Sequence, residues 1–320
     1  MGARLATILG LALGLFFAAA LEGQELDVRA YAHVPVGLNV LRLGYGYSTG
    51  NILVDPSLPV EGLEADIHLA LAKYARTFDL FGASAGVEAT VPFSFGSWRG
   101  EQVGFGPRER DVDGFADTRV AFRVNFVGAP ALRPQEIGPL RQKTIVGATF
   151  EVLAPTGQYD RTKLINLGAN RWGFRTELGL SRAVGRWHLE AAGTVWLFTD
   201  NDDFFGGSTV SQDPLYAVQG HVVYSVRPGF WLSFNLGYAD GGTTSVDGMV
   251  QNTLQRNTRA GVTVQYPLSR SQGLRVAFAR GVTTRIGADF DSLLIAYQIM
   301  WGGGKRPRPK DPPPLEARDD

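Results

Sequence analysis

The feature that most constrains this chain is an alternation of apolar and polar side chains in segments of about ten residues. Segment 117–126 is a plain case, with Thr118, Val120, Phe122, Val124 and Phe126 on one face and Asp117, Arg119, Arg123 and Asn125 on the other. Successive side chains of a strand point to opposite faces, and about ten residues let a tilted strand cross the apolar band of a bilayer. The pattern therefore predicts membrane-spanning strands with one lipid-facing face and one polar face.

The same alternation recurs along most of the chain. It is clear in 171–181, 187–197, 216–226 and 230–238, and weaker or shorter in 38–48, 66–76, 83–92, 144–153, 257–267, 274–280 and 291–301. Short turns near 183–186, 227–229 and 268–273 alternate with long polar loops near 49–63, 93–114, 154–170, 199–214 and 241–256, as in bacterial barrels. We expect an all-β fold, an antiparallel transmembrane β-barrel of about 12 strands of the outer-membrane type. The residues expected in its interfacial aromatic belts lie near predicted strand ends and are Trp187, Tyr216, Tyr224, Trp231, Tyr266 and Trp301.

Composition excludes several other classes of protein. No apolar run of about 18 residues occurs beyond the N-terminus, so a helical membrane protein is excluded. Lys+Arg and Asp+Glu are balanced at 31 each, and nucleic acid is therefore not expected as a partner. The chain contains no cysteine, which removes disulfides, thiolate metal sites and cysteine nucleophiles.

The two ends of the chain predict export. Residues 1–20 read as a cleaved signal peptide, with Arg4 before an apolar stretch and Ala18–Ala20 as the cleavage site, and a membrane anchor is the alternative that this short stretch disfavours. We expect localisation in the outer membrane of a Gram-negative cell. The predicted domains are then a periplasmic N-terminal segment at 21–37, the barrel at 38–301 and a disordered Pro-rich periplasmic tail at 302–320.

One further segment breaks the predicted pattern of connections. Segment 127–143 is rich in proline and lies on the nominally periplasmic side, where a short turn is expected. A plug, a docking segment and a plain long turn all fit this sequence.

Charged residues of both signs fall on the face opposite the lipid. The predicted lumen and selectivity residues are Arg119, Arg123, Glu151, Arg175, Glu177, Glu190 and Arg259. The same register also places Arg42, Asp66, Glu88 and Arg275 on this face. Such a set can form a selective constriction or a ladder of salt bridges that fills a narrow lumen, and the two interpretations are compatible.

The loop at 199–214 concentrates carboxylates and two aromatic residues. We expect Asp200, Asp202, Asp203, Phe204 and Phe205 to form an extracellular gating or entry loop. Calcium is the alternative, because Ca²⁺ takes six to eight oxygen ligands, but the spacing does not match an EF-hand. No metal and no cofactor is predicted.

The four histidines give little support to catalysis. His33, His68, His188 and His221 have no zinc-ligand spacing. A lipid hydrolase barrel would need its histidine on the lipid side, whereas the register places His188 and His221 on the lumen side. We do not expect an enzyme.

The last predicted strand carries an outward row that ends at Trp301. This strand resembles the terminal strand of outer-membrane barrels, which ends in an aromatic residue recognised by the barrel assembly machinery. That machinery and outer-membrane lipid are therefore expected partners, although the chain continues beyond the aromatic residue.

Several loop motifs resemble one known family. They are Pro155–Asp160, Leu164–Trp172, Phe198–Gly207, Gln212–Tyr216 and Arg285–Phe290. This wording is similar to that of the outer-membrane family named for the meta-pathway of phenol degradation, and the resemblance covers residues 30 to 301 or so. It implies an outer-membrane transporter, sometimes linked to aromatic or hydrophobic compounds, and it provides no catalytic residues.

We therefore expect a porin-like channel for passive uptake of small molecules, with aromatic or hydrophobic compounds as candidate substrates. The alternatives are an outer-membrane lipid hydrolase barrel and a structural barrel with a filled lumen.

Overall fold

The computed structural model describes residues 26–54, 60–102, 104–137 and 142–304. The predicted signal peptide, and the predicted tail beyond Gly304, lie outside the described residues. The strands are β1 (Leu38–Leu53), β2 (Val60–Leu80), β3 (Ala83–Gln102), β4 (Gly106–Phe115), β5 (Thr118–Pro130), β6 (Thr144–Ala154), β7 (Gly173–Val184), β8 (Trp187–Phe198), β9 (Asn201–Phe204), β10 (Ser208–Gln212), β11 (Leu215–Arg227), β12 (Phe230–Gly241), β13 (Thr244–Val246), β14 (Met249–Val250), β15 (Gln255–Pro267), β16 (Gln272–Thr283) and β17 (Gly287–Gly302).

The main sheet closes on itself. It contains 13 strands in the order β2-β1-β17-β16-β15-β12-β11-β8-β7-β6-β5-β3-β4, and β2 also pairs with β3. Because β4 pairs only with the upper part of β3, the closed ring has twelve strands, all antiparallel to their neighbours. The first and last strands join continuously from Leu38 opposite Gly302 to Leu53 opposite Gly287. This confirms the predicted twelve-stranded antiparallel barrel. No helix in the described part of the chain is long and apolar enough to cross a membrane.

Side chains alternate between an outer and an inner face as predicted. On β5, Val120, Phe122 and Phe126 are exposed to the outside, while Ala121 and Asn125 are buried inside. Exposed Trp187 and Trp301 lie at the end of the barrel with the short turns, which in bacterial barrels faces the periplasm.

Two assignments from the sequence are wrong. Asp66 was expected in the lumen, but its neighbours Ala65 and Ile67 take the inner positions, and Asp66 binds Arg99 and the Tyr47 hydroxyl on the outer face. Trp231 was expected in the interfacial aromatic belt, but it lines the lumen. The weak alternation of segment 66–76 left the facing of Asp66 ambiguous, and the position of Trp231 near a strand end did not show which face it takes.

The long loops contain more strand than the sequence predicted. Segments 49–63 and 93–114 largely continue β1 to β4 beyond the apolar band, because main-chain pairing does not require apolar side chains there. Segments 199–214 and 241–256 contain β9, β10, β13 and β14, which form a separate four-stranded sheet. The extracellular end is therefore largely hydrogen-bonded structure.

The described part of segment 127–143 packs at the periplasmic end. The Leu132 carbonyl accepts a hydrogen bond from the Val36 amide at 2.9 Å, and Gln135 Nε2 donates to the Gly304 carbonyl at 2.8 Å. These contacts make it a turn that holds both ends of the barrel domain. A different segment occupies the lumen.

Candidate channel lumen

Residues 26–36, called here the N-terminal insert, cross the inside of the barrel before β1 begins. Leu26 lies over Gly237 and Gly261 on β12 and β15. Further along, the Ala32 carbonyl accepts a hydrogen bond from Asn125 of β5, and the Val34 carbonyl accepts one from Ser84 of β3. The insert therefore touches opposite sides of the barrel wall. The sequence analysis placed 21–37 in the periplasm, and nothing within this segment indicated these contacts.

Tyr31 of the insert is deeply buried, with only 3% of its surface exposed. Its ring lies against Gly147 of β6 and Gly179 of β7, which are paired directly across the two strands, and a Cβ built on either glycine would overlap it. The hydroxyl contacts Thr149 Oγ1 at 3.1 Å and donates to Glu177 Oε1 at 2.9 Å. The two glycines thus create the space that the tyrosine ring fills.

Charge pairs hold the rest of the insert. Arg123 Nη2 donates to Asp27 Oδ2 at 2.9 Å, and Gln219 Oε1 accepts from the Asp27 amide at 3.1 Å. Arg29 gives Glu190 both its main-chain N–H, at 2.9 Å, and its guanidinium, at 3.2 Å. Burial alone would raise the pKa of Asp27, but Arg123 and other nearby cations outweigh it and hold that pKa well below its ordinary value. Asp27 is therefore a stable carboxylate inside the lumen.

Behind the insert, three of the predicted lumen residues form one buried network. Arg175 Nη2 donates to Glu177 Oε2 at 2.6 Å, and Arg175 Nη1 lies 3.8 Å from Glu151 Oε1. Thr194 Oγ1 and Gln219 Nε2 donate to the same Glu177 oxygen at 2.8 and 3.1 Å. With Glu177 fully buried, this network shows the dense pairing that buried charges require.

The other predicted lumen residues are spread over different parts of the inner face. Arg123 and Glu190 contact the insert, as described above. Arg259 donates to Ser292 Oγ at 2.6 Å across the lumen face of β15 and β17. Arg119 lies on the inner face of β5, two positions from Ala121. The seven residues therefore do not form a single ring.

A cavity of about 1470 Å³ lies between the insert and the periplasmic turns. Residues 27–30 of the insert form one boundary, and turns at 185–186, 227–229 and 268–270 form the other. Strands on both sides of the β1–β17 pair line its wall, including Arg42 and Arg275. We call this cavity the periplasmic vestibule.

The extracellular mouth is crossed by the loop between β6 and β7, residues 155–172. Ile165 joins an apolar cluster with side chains from β1, β2, β3, β4 and β17, on the far side of the ring from β6 and β7. The Asp117 carboxylate accepts main-chain N–H groups of Gly157 at 2.8 Å and Ala169 at 2.7 Å. Burial raises the pKa of Asp117, while these hydrogen bonds oppose the shift. The loop is thus tied to the barrel at its rim.

The predicted gating residues differ in their contacts with this mouth loop. Asp200 and Asp202 are exposed to solvent. Asp203 pairs with Arg161 at 3.3 Å, and its carbonyl accepts from the Tyr159 hydroxyl at 3.1 Å. Phe204 is buried in a second apolar cluster, against which Phe205 and Leu164 pack. The loop at 199–214 thus contacts the mouth loop at residues 159–164.

Within the described residues, no group of three or more His, Asp or Glu side chains could hold a metal ion. His221 Nδ1 faces Asn235 Oδ1 at 3.0 Å inside the lumen, and His188 lies on the same face of β8 as Glu190.

Sequence reasoning missed the insert and the mouth loop. Asp27, Arg29 and Tyr31 precede the first strand and have no alternation that would place them. A usable signal was the pair of small lumen positions, Gly147 and Gly179, which leave room for a side chain from elsewhere.

The closed twelve-stranded barrel has an apolar outer face and a charged lumen that the N-terminal insert partly fills. These features define an outer-membrane β-barrel of the channel class. The sequence matches the family described as MetA-pathway of phenol degradation over residues 45–292, and the chain belongs to that family. This confirms the resemblance seen in the loop motifs. No curated protein sequence matches the chain.

One solved structure supports the fold, and two more distant ones are similar to a lower degree. The COG4313 outer membrane channel from Pseudomonas putida F1 superposes with a TM-score of 0.73 at 24% identity, covering 87% of this chain and 100% of that one. The transport unit of the autotransporter AIDA-I from Escherichia coli gives 0.49 at 8% identity, covering 89% and 95%, and the NanC porin gives 0.45 at 11%, covering 81% and 98%. The last two similarities are too low to support an argument.

Proposed function

We propose that the protein is an outer-membrane channel for the passive uptake of small molecules, in which the N-terminal insert sets the free cross-section of the lumen. The observation that carries this proposal is a charged lumen that holds both a segment of the chain and a vestibule of about 1470 Å³. A barrel needed only for structure would have no use for this volume beside the insert.

Aromatic compounds are the proposed substrates. Support comes from the family description, which refers to phenol degradation. The Pseudomonas putida relative is named as an outer membrane channel, and that name supports transport without specifying a substrate.

We assign ion and solute selectivity to Arg119, Arg123, Arg175 and Arg259, with Glu151, Glu177 and Glu190 as their partners. Replacing Arg123 and Arg175 by alanine removes two positive charges beside the insert. Planar-bilayer recordings should then show a changed conductance and a shift of the reversal potential away from anion preference. Unchanged values would remove these two residues from the selectivity assignment.

A barrel with a filled lumen is the second candidate, and the insert itself favours it. Liposome swelling in phenol or a small sugar separates the two functions. We expect swelling with the intact protein, and faster swelling with a variant that lacks residues 26–36 but keeps residues 1–25. If both proteins fold and neither allows swelling, the channel proposal is rejected.

The lipid hydrolase has less support. His188 and His221 lie on the lumen side, away from the acyl chains that a hydrolase of membrane lipids must reach. We propose that the protein has no catalytic activity. Acyl-ester cleavage in detergent that is lost in His221→Ala would contradict this assignment.

A further inference from the structure

The wall of the periplasmic vestibule carries far more positive than negative charge. Its cationic side chains are Arg29, Arg42, Lys73, Arg76, Arg123, Arg186, Arg227, Arg270 and Arg275. Its carboxylates are Asp27 and Glu88. A cavity lined by one sign of charge concentrates ions of the opposite sign.

The deeper carboxylates already have partners. Glu88 Oε1 lies 2.8 Å from Lys73 Nζ, and Asp27 Oδ2 lies 2.9 Å from Arg123 Nη2. Arg29 is paired with Glu190 at 3.2 Å. Within the described residues, both carboxylates of this wall are therefore already paired, with Lys73 and Arg123.

Arg42 and Arg275 are two other arginines of this wall. They lie on β1 and β16, the two neighbours of β17, where Gln298 is paired with Arg42 and Ala296 with Arg275. No ion pair joins either of them to a carboxylate in the described residues.

Their hydrogen-bond partners are neutral. Arg42 Nη2 donates to Gln298 Oε1 at 3.3 Å, and its Nε is buried with no hydrogen-bond partner in the described part of the chain. Arg275 Nε donates to Gln265 Oε1 at 3.1 Å, and its guanidinium lies 5.2 Å from the centre of the Trp231 ring. Two guanidinium groups of like charge thus share one wall, and their hydrogen bonds in the described residues go to neutral glutamine side chains.

We propose that Arg42 and Arg275 form a binding site for an oxyanion, with a small organic carboxylate as the ligand. Burying like charges without partners is costly, and an anion between them removes that cost. The planar guanidinium fork matches a carboxylate or phosphate through paired N–H···O bonds.

The surroundings favour a carboxylate that carries an apolar group. Trp231 lies beside Arg275 and offers an aromatic surface within the same cavity. Inorganic phosphate shares the oxyanion chemistry but cannot use this surface. As a statement about transported molecules, the inference rests on the channel function proposed above.

Binding can be measured without any conduction. The probes are 4-fluorobenzoate followed by ¹⁹F NMR and inorganic phosphate followed by ³¹P NMR, each added to the full-length protein in detergent at constant ionic strength. We expect the protein to broaden the 4-fluorobenzoate resonance more than the phosphate resonance. The variant R42Q/R275Q should reduce the broadening at least tenfold.

The matched control is Arg280→Gln, which removes the same charge from the same strand at an exposed position beside Asp291. It should bind like the unchanged protein, and Arg42→Gln alone gives an intermediate result if the double variant does not fold. Equal broadening in R280Q and R42Q/R275Q would overturn the site, as would the absence of broadening with the unchanged protein. Stronger binding of phosphate than of 4-fluorobenzoate would overturn the choice of an organic carboxylate. Failure of liposome swelling with intact binding would reject only the channel function.

Discussion

The ring of Tyr31 fills the space above Gly179 that any larger residue would occupy with its own side chain. The tyrosine comes from the N-terminal insert and the glycine from the barrel wall, so one small position in β7 decides whether the insert can lie in the lumen.

Gly179→Val should therefore displace the insert. The chain has no cysteine, so Ala30→Cys introduces a unique thiol next to Tyr31, and Ala30 is only 8% exposed. We expect maleimide to label this thiol at least tenfold faster when Gly179→Val is also present.

Gly193→Val on the neighbouring strand serves as the control, because a Cβ there meets no atom within 4 Å. Equal labelling rates in the two valine variants would show that Tyr31 does not depend on the glycine.

Loss of Glu177 should destabilise the barrel. Glu177→Ala removes the ion pair of 2.6 Å from buried Arg175 and keeps the longer contact to Glu151, at 3.8 Å. Breaking a buried ion pair costs about 3–5 kcal/mol, whereas an exposed pair contributes roughly 0–1 kcal/mol. Urea unfolding in detergent or lipid should show the larger loss for Glu177→Ala and the smaller for Arg161→Ala, which breaks the exposed pair with Asp203.

The insert should remain bound in the lumen at mildly acidic pH. Because the pKa of Asp27 is depressed in the docked state, the Asp27–Arg123 pair contributes fully above the ordinary value of 3.8 and is lost only as pH falls below it towards the depressed value. Single-channel conductance should thus show no opening transition between pH 8 and pH 5. Asp27→Asn should raise the conductance at every pH in this range, and a transition near pH 6 in the unchanged protein would contradict the assignment.

Trp301 should matter for assembly. It lies at the end of β17 and is 47% exposed. If the assembly machinery recognises this terminal aromatic residue, Trp301→Ala should lower the yield of heat-modifiable, folded barrel in cells several-fold. Trp187→Ala removes an equally exposed tryptophan, 49%, from an internal strand and should fold normally. Similar yields for the two variants would argue against recognition at Trp301.

The strands could be predicted from the sequence because each one shows the alternation of apolar and polar side chains within its own residues. In β5, the outward side chains at 120, 122 and 126 must face lipid, and this fixes Arg119 and Arg123 on the other side. The register of β7 likewise placed Arg175, Glu177 and Gly179 together on one face.

Contacts across the lumen could not be predicted in this way. Asp27 and Arg123 are 96 residues apart, and neither position shows in its own neighbourhood that the other will reach it. Asp66 was placed on the wrong face because apolar residues can be buried inside the extracellular end of the barrel, where Ala65 and Ile67 join the apolar cluster with Ile165. Alternation tells two faces apart but does not say which one faces lipid.

The path of the N-terminal insert also sets an order of events in folding. Its contacts with β5, β7, β8 and β11 join residues that are 96 to 192 positions apart in the chain. The complete sites form only when the later strands are in place, since Tyr31 contacts both β6 and β7 and Asp27 contacts both β5 and β11. The insert is synthesised before the strands, and we expect it to be among the last parts of the domain to reach its final position. Its binding in the lumen then follows the pairing of the strands.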